Sequence, residues 1–319
     1  MRDANREQQG NRFFSGRRQR LPLSVLLWLG LVAGADARSA ADPAQTALYS
    51  SSLAPAVAHP ASRTTITAPD ASAIDWFALL DGTGVSEILD QANSLIGQEV
   101  ANLEKAPLGF TAEELAALQM NFRFRLGSER LKQDLVAQLQ QKLSADQAQH
   151  LQKLLQSPRM QFLQTLQAQL DDDLVREAMR SYRVQVQESA PSANRVELLS
   201  TLDQTLRQSA LETDLKVELR KQLLVTVSQL KSHETIPESM LDEQLRPYRQ
   251  DVEQQISKNA LHAYLYLFKR TPSPQLQDLI SSLDQPAFDS FMSICQSTLL
   301  DSFRAARAQL QQDMRLAKH

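Results

Sequence analysis

From Ile74 onward, apolar residues recur along this chain at intervals of three and four. Leu131, Leu135, Leu139 and Leu143 repeat every four residues. Leu151, Leu154, Leu155, Phe162, Leu163, Leu166 and Leu170 follow the i, i+3, i+4 stripe, and Leu211, Leu215, Leu219, Leu223, Val227 and Leu230 sustain one over several turns. Val252, Ile256, Leu261, Tyr264, Leu267 and Phe268 form a further stripe; Phe288, Phe291, Leu299, Phe303 and Leu310 form the last. A period near 3.6 places each set on one face of an α-helix. Glu, Lys, Arg and Gln occupy the positions between. Each helix is therefore expected to bury one face against a neighbour and turn the other to water.

Prolines punctuate the pattern. Pro107, Pro158, Pro191, Pro237, Pro247, Pro272, Pro274 and Pro286 fall among the apolar runs. Proline has a fixed φ and no backbone N–H, which suits the first turn of a helix or the residues just past its end. Pro247 lies within a periodic run, where it is expected to open a helix at its first turn. Thr111 to Glu114 and Ser144 to Gln147 have the order of a capping box. Ser273 before Pro274 has the order of a cap followed by proline at the first helical position. The pattern predicts about eight to ten helices joined by short loops.

The chain also resembles itself. At a shift of 128 residues, Ser144–Pro158 lies over Pro272–Pro286, so that Leu151 meets Leu279, Leu155 meets Leu283 and Pro158 meets Pro286. A shift of 110 lays Glu87–Leu89 over Glu197–Leu199. The expectation is an all-α protein made of two related multi-helix units of helical hairpins, residues 74–191 and 192–319, packed as an irregular bundle or short array.

Composition sharpens this. The 319 residues include 9 glycines, none after Gly127. Hairpin turns and β-bulges draw on glycine, which weighs against sheets. No GxGxxG or GxxxxGK[ST] loop occurs, which weighs against the common nucleotide-binding folds. One cysteine, Cys295, leaves no partner for an intramolecular disulfide.

The N-terminal part reads as a targeting signal. Arg12, Arg17, Arg18 and Arg20 precede the apolar run Leu21–Ala35, which is short for a bilayer-spanning helix, and Ala35-Asp36-Ala37 fits the small-x-small cleavage rule. Residues 1–37 are thus expected to be a signal peptide cut after Ala35 or Ala37, an uncleaved N-terminal membrane anchor being the alternative. Residues 38–73, rich in Ala, Ser, Thr and Pro, read as a disordered linker. The expected location is periplasmic or secreted, with no transmembrane span in the mature chain. The formal net charge is −3, and removing six Arg with Asp3, Glu7 and Asp36 makes the remainder more acidic. A mildly acidic chain with no basic stripe argues against nucleic acid as a partner.

Glu87-Ile-Leu89, the segment Leu143–Pro158 with its L-S-x-x-x-x-x-L-x-x-L-L-x-S-P order and, more loosely, Leu276–Phe291 resemble a class of secreted helical proteins of proteobacteria defined by a domain of unknown function. The resemblance implies an exported all-α protein, and it supplies no catalytic residues to carry over.

Candidate chemistry is sparse. His59, His150, His233, His262 and His319 are scattered, with no HExxH or HxH pair to anchor a zinc site. His150 with Asp146 reads as a solvated helix pair, His233 as a helix C-terminal cation, and His262 as a partly buried residue beside Tyr264, Tyr266 and Phe268. Cys295 sits on an apolar stripe, where burial keeps a thiol inert. Asp171-Asp172-Asp173 lacks the ligand spacing of a calcium loop and reads as the start of a helix. No serine-hydrolase signature occurs. No cofactor and no metal are expected. The reading is a binding or interaction module with an unknown protein partner in the cell envelope. The alternatives are a carrier of lipid or another apolar ligand, its groove lined by Tyr264, Phe268, Phe288, Phe291 and Phe303, and a hydrolase with a site assembled across helices.

Overall fold

The computed structural model describes residues 74–232 and 236–316. The expected signal peptide, the linker, His59, His233 and His319 lie outside them. The described residues are helical throughout, without strands: α1 (Trp76–Gly82), α2 (Val85–Lys105), α3 (Ala112–Leu126), α4 (Ser128–Lys142), α5 (Ala145–Leu155), α6 (Pro158–Ala168), a 3-10 turn (Gln169–Asp171), α7 (Asp173–Glu188), α8 (Ala193–Leu206), α9 (Gln208–Ser232), α10 (Glu238–Leu267), α11 (Ser273–Leu283) and α12 (Pro286–Leu316). The all-α expectation holds.

The twelve α-helices of the described residues exceed the eight to ten expected, because five of the breaks between them carry no proline, two of these turning on a single residue. Gly127 is both the last cap of α3 and the first of α4, and a Cβ there would run into the Arg123 carbonyl. Arg207 adopts the left-handed conformation (φ 54°) and splits α8 from α9 with a single residue. Both predicted capping boxes are present: the Thr111 hydroxyl accepts from Glu114 N while Glu114 accepts from Thr111 N at 2.8 Å, and Ser144 pairs reciprocally with Gln147. At Ser273 the helix starts one residue early, with Pro272 in the cap position. Pro247 does not open a helix. α10 runs through it, in contact with α9 on both sides of the proline, through Asp242 with Lys221 before it and Arg249 with Asp214 after it.

The elements matched at 128 residues are the same in kind: α5 and α11 are both 11 residues long, and Pro158 and Pro286 each begin the following helix. They do not belong to separate cores. α4 packs on α12 and α2 on α9, and one apolar core extends from Leu79 to Ala306.

α9 is the axis of the molecule. It is flanked by α2, α8, α10 and α12, and most of its length is buried. Its apolar stripe, Leu211, Leu215, Leu219, Leu223 and Val227, enters the core as expected, whereas Leu230 near its end is exposed. The opposite face does not meet water: Asp214, Glu218, Arg220, Lys221 and Gln222 are all buried. An amphipathic pattern marks the face that needs burial and is silent on whether a second layer covers the other face.

Candidate functional site

The five aromatic residues expected to line an apolar groove are core residues. Phe268, Phe288, Phe291 and Phe303 are among the largest fully buried side chains, and Tyr264 is buried with its hydroxyl donating to Gln208 Oε1 at 3.3 Å. Tyr264 and Phe268 touch, with ring centroids 6.2 Å apart, and Phe162 meets Phe268 edge-on. Packing of helices α8, α10 and α11 on one side and α4, α5 and α9 on α12 closes over these stripes. Phe288 borders a small polar recess of about 210 Å³ beside Thr201, Arg207 and Asp289.

Two further features carry polar side chains. The first is a buried charge network on α9. Asp214 accepts from Arg249 of α10 and from Gln296 of α12, the latter at 2.6 Å. Glu218 accepts from Arg307 of α12 at 2.7 Å and lies 3.2 Å from Lys221. Lys221 reaches Asp242 at 2.6 Å and Glu238 at 3.1 Å, both on α10. Arg307 also donates to Glu238 at 2.9 Å. Arg220 pairs with Glu99 of α2 at 2.5 Å and lies over the Tyr248 ring. Burial opposes the charge on Lys221, but Asp242, Glu218 and Glu238 outweigh it and hold the ammonium above its ordinary value. The carboxylates and cations are matched to each other across four helices, α2, α9, α10 and α12. This arrangement fixes helix register, since a slip would strand a buried charge; it leaves no unpaired base poised on a substrate.

The second feature is open. Between α4 and α12 runs a valley of about 980 Å³. Ala137 from one helix and Ala305 and Ala306 from the other line it, and small side chains let another backbone approach closely. Gln133, Gln138 and Gln309 also line it. The α3–α4 corner at Gly127 brings Phe124 and Arg123 to it, and Phe124 is 80% exposed, with Met120 one turn away at 69%. Asp134 and Asp301 here are occupied, Asp134 by Arg130 at 3.1 Å and Ser302 at 3.2 Å, Asp301 by Arg304 at 2.8 Å. The Thr298 hydroxyl, on a residue 3% exposed that also lines the valley, has no hydrogen-bond partner among the described residues.

The other sequence candidates do not converge. His150 is exposed, its Nδ1 2.9 Å from the Asp146 carbonyl oxygen. His262 is half-buried on α10. Cys295 is fully buried, and burial pushes its thiol up from the ordinary value. Asp172 caps α7, accepting from Leu174 N at 2.8 Å. Among the described residues no group of three or more His, Cys, Asp or Glu could hold a metal ion, and no helix is long and apolar enough to cross a membrane. Sequence reasoning missed the valley. Its signal, small residues at Ala137, Ala305 and Ala306 beside a solvent-facing Phe124, becomes visible only when α4 and α12 are side by side.

Comparison with protein-family models, with curated proteins and with solved structures returns no match.

Proposed function

We propose that the protein is an exported binding module of the cell envelope, and that it receives an amphipathic helix of a protein partner in the valley between α4 and α12. The observation that carries this reading is the valley itself: an open trough with an alanine-lined floor and an exposed aromatic at its end. A helix laid in such a trough packs at about 8–10 Å from its neighbours only where the side chains between are small. Phe124 and Met120 supply an apolar anchor of the kind that helix-in-groove recognition uses. Export rests on the N-terminal signal pattern and on the resemblance to secreted helical proteins.

The test is to block the trough without touching the core. Ala305 is solvent-exposed, so Ala305→Trp fills the valley while the fold is retained. Partner recovery from crosslinked envelopes is expected to fall at least tenfold with Ala305→Trp and with Phe124→Asp. It should be unchanged with Gln161→Asp, an exposed site on α6. Equal recovery with all three variants would show that the valley is not the docking site.

A further inference from the structure

The chain is acidic overall, yet one strip of it is not. From Gln254 to Gln277 there is no carboxylate side chain, while Lys258, His262, Lys269 and Arg270 fall in this stretch. Lys258, His262, Tyr266 and Lys269 are spaced at four, four and three residues, which sets them in one row along α10 and its end. α7 packs along this part of α10. Tyr182 of α7 meets Tyr266 at 5.7 Å between ring centroids, and Lys269 Nζ stands 3.7 Å from the Tyr266 centroid and 6.0 Å from that of Tyr182. α7 contributes Arg183, a half-buried residue whose Nε is buried without a hydrogen-bond partner among the described residues. Arg183 and Lys258 both lie close enough to His262 to disfavour its protonation, after burial, the larger cause. No carboxylate stands beside these two among the groups that act on His262 in the described residues. Arg195 of α8 adds a further guanidinium, donating to the Phe268 carbonyl at the end of α10.

Like charges held together without a counter-ion are costly unless an anion joins them. We propose that the α7–α10 seam is a docking strip for an acidic peptide segment, bound along Arg183, Lys258, Lys269 and Arg270. From Lys258 to Lys269 the strip spans about 16 Å of helix axis, the length of about five residues of extended chain. A peptide suits it better than a lipid surface. Asp172, Asp173, Glu177 and Glu188, all exposed on or beside α7, would be pressed against an anionic membrane, whereas a single strand can follow the seam between them. The strip shares no residue with the α4–α12 valley and does not rest on that reading.

The test is fluorescence anisotropy of a labelled oligoglutamate peptide with the whole protein, at low and at physiological salt, with oligoglutamine as the neutral control. Saturable binding of oligoglutamate that weakens with salt is expected. Lys258→Gln combined with Lys269→Gln, both exposed positions, should weaken it at least tenfold, and Arg183→Lys should retain it. Arg159→Gln, a surface charge on α6 paired with Asp278, should leave it unchanged. The assignment is overturned if oligoglutamate binds no better than oligoglutamine, or if Arg159→Gln weakens it as much as the strip variant. It is also overturned if vesicles of phosphatidylglycerol bind through these lysines while the peptide does not.

Discussion

Replacing Glu218 with leucine removes the carboxylate at the centre of the α9 network. The Glu218 and Arg307 side chains are 6% and 4% exposed, and that of Lys221 is 6% exposed. Water therefore cannot take over the lost contacts. Arg307 loses its 2.7 Å partner and Lys221 its 3.2 Å one, although Glu238 and Asp242 continue to bind them. Breaking one side of a buried pair costs about 3–5 kcal/mol, and the remaining carboxylates place Glu218→Leu near the lower end, about 3 kcal/mol. Removing Arg307 as well, as Glu218→Leu with Arg307→Met, deletes the cation that had been left behind. The double variant should regain part of the loss, with a coupling energy of about 1–3 kcal/mol in the double-mutant cycle. The assay is equilibrium urea unfolding of the wild type, both single variants and the double variant. Arg304→Gln is the surface control, because its pair with Asp301 is 60% exposed on both sides, and it should change stability by less than about 0.5 kcal/mol. A cost below about 1 kcal/mol for Glu218→Leu, or strict additivity of the two changes, would refute the claim that this network fixes the packing of α9, α10 and α12.

Other outcomes follow from single sites. Gly84 caps α2 at φ 74°, and a Cβ there would meet the Gln208 amide, so Gly84→Ala should lose about 1–2 kcal/mol in the same unfolding assay. Gln208 donates to the Thr83 carbonyl at 2.7 Å and accepts from Gln167 at 3.2 Å and Tyr264 at 3.3 Å; Gln208→Ala should cost about 1–3 kcal/mol by leaving these groups unsatisfied. Burial, with Arg183 and Lys258 nearby, holds the His262 imidazole below its ordinary value. The folded state thus takes up a proton less readily than the unfolded chain. The stability that neutral His262 contributes is intact above the ordinary histidine range and is lost as pH falls through it towards the lowered folded value, a limb that His262→Gln should flatten in melts across about pH 7 to 5. Phe124→Asp, at an exposed position, should leave the melting temperature unchanged while abolishing partner recovery.

Much of the fold could be read from local signals. The capping boxes at Thr111 and Ser144 and the proline starts at Pro158 and Pro286 depend only on neighbours in sequence, and the structure places them as expected. What escaped depends on which elements surround a helix. Asp214, Glu218, Arg220 and Lys221 look like a solvated face until α2, α10 and α12 close around α9. Pro247 looks like a boundary until the packing on both sides of it is known. Tyr264 and Phe268 fall on one helical stripe and Phe288, Phe291 and Phe303 on another whether these line a groove or fill a core, and periodicity carries no information on which. The valley and the cationic seam each draw residues from helices far apart in sequence, α4 with α12 and α7 with α10, so neither leaves a motif.

The most direct test of the valley as the docking site is site-specific photo-crosslinking in intact envelopes. A photoreactive phenylalanine analogue would be placed in turn at positions 124, 137 and 305 around the trough and at position 161 on α6. The account predicts one adduct of the same mass from positions 124, 137 and 305, none from 161, and loss of the adducts at 137 and 305 when Phe124→Asp is added. Adducts of equal yield at 161, or adducts at 137 and 305 that persist with Phe124→Asp, would contradict it.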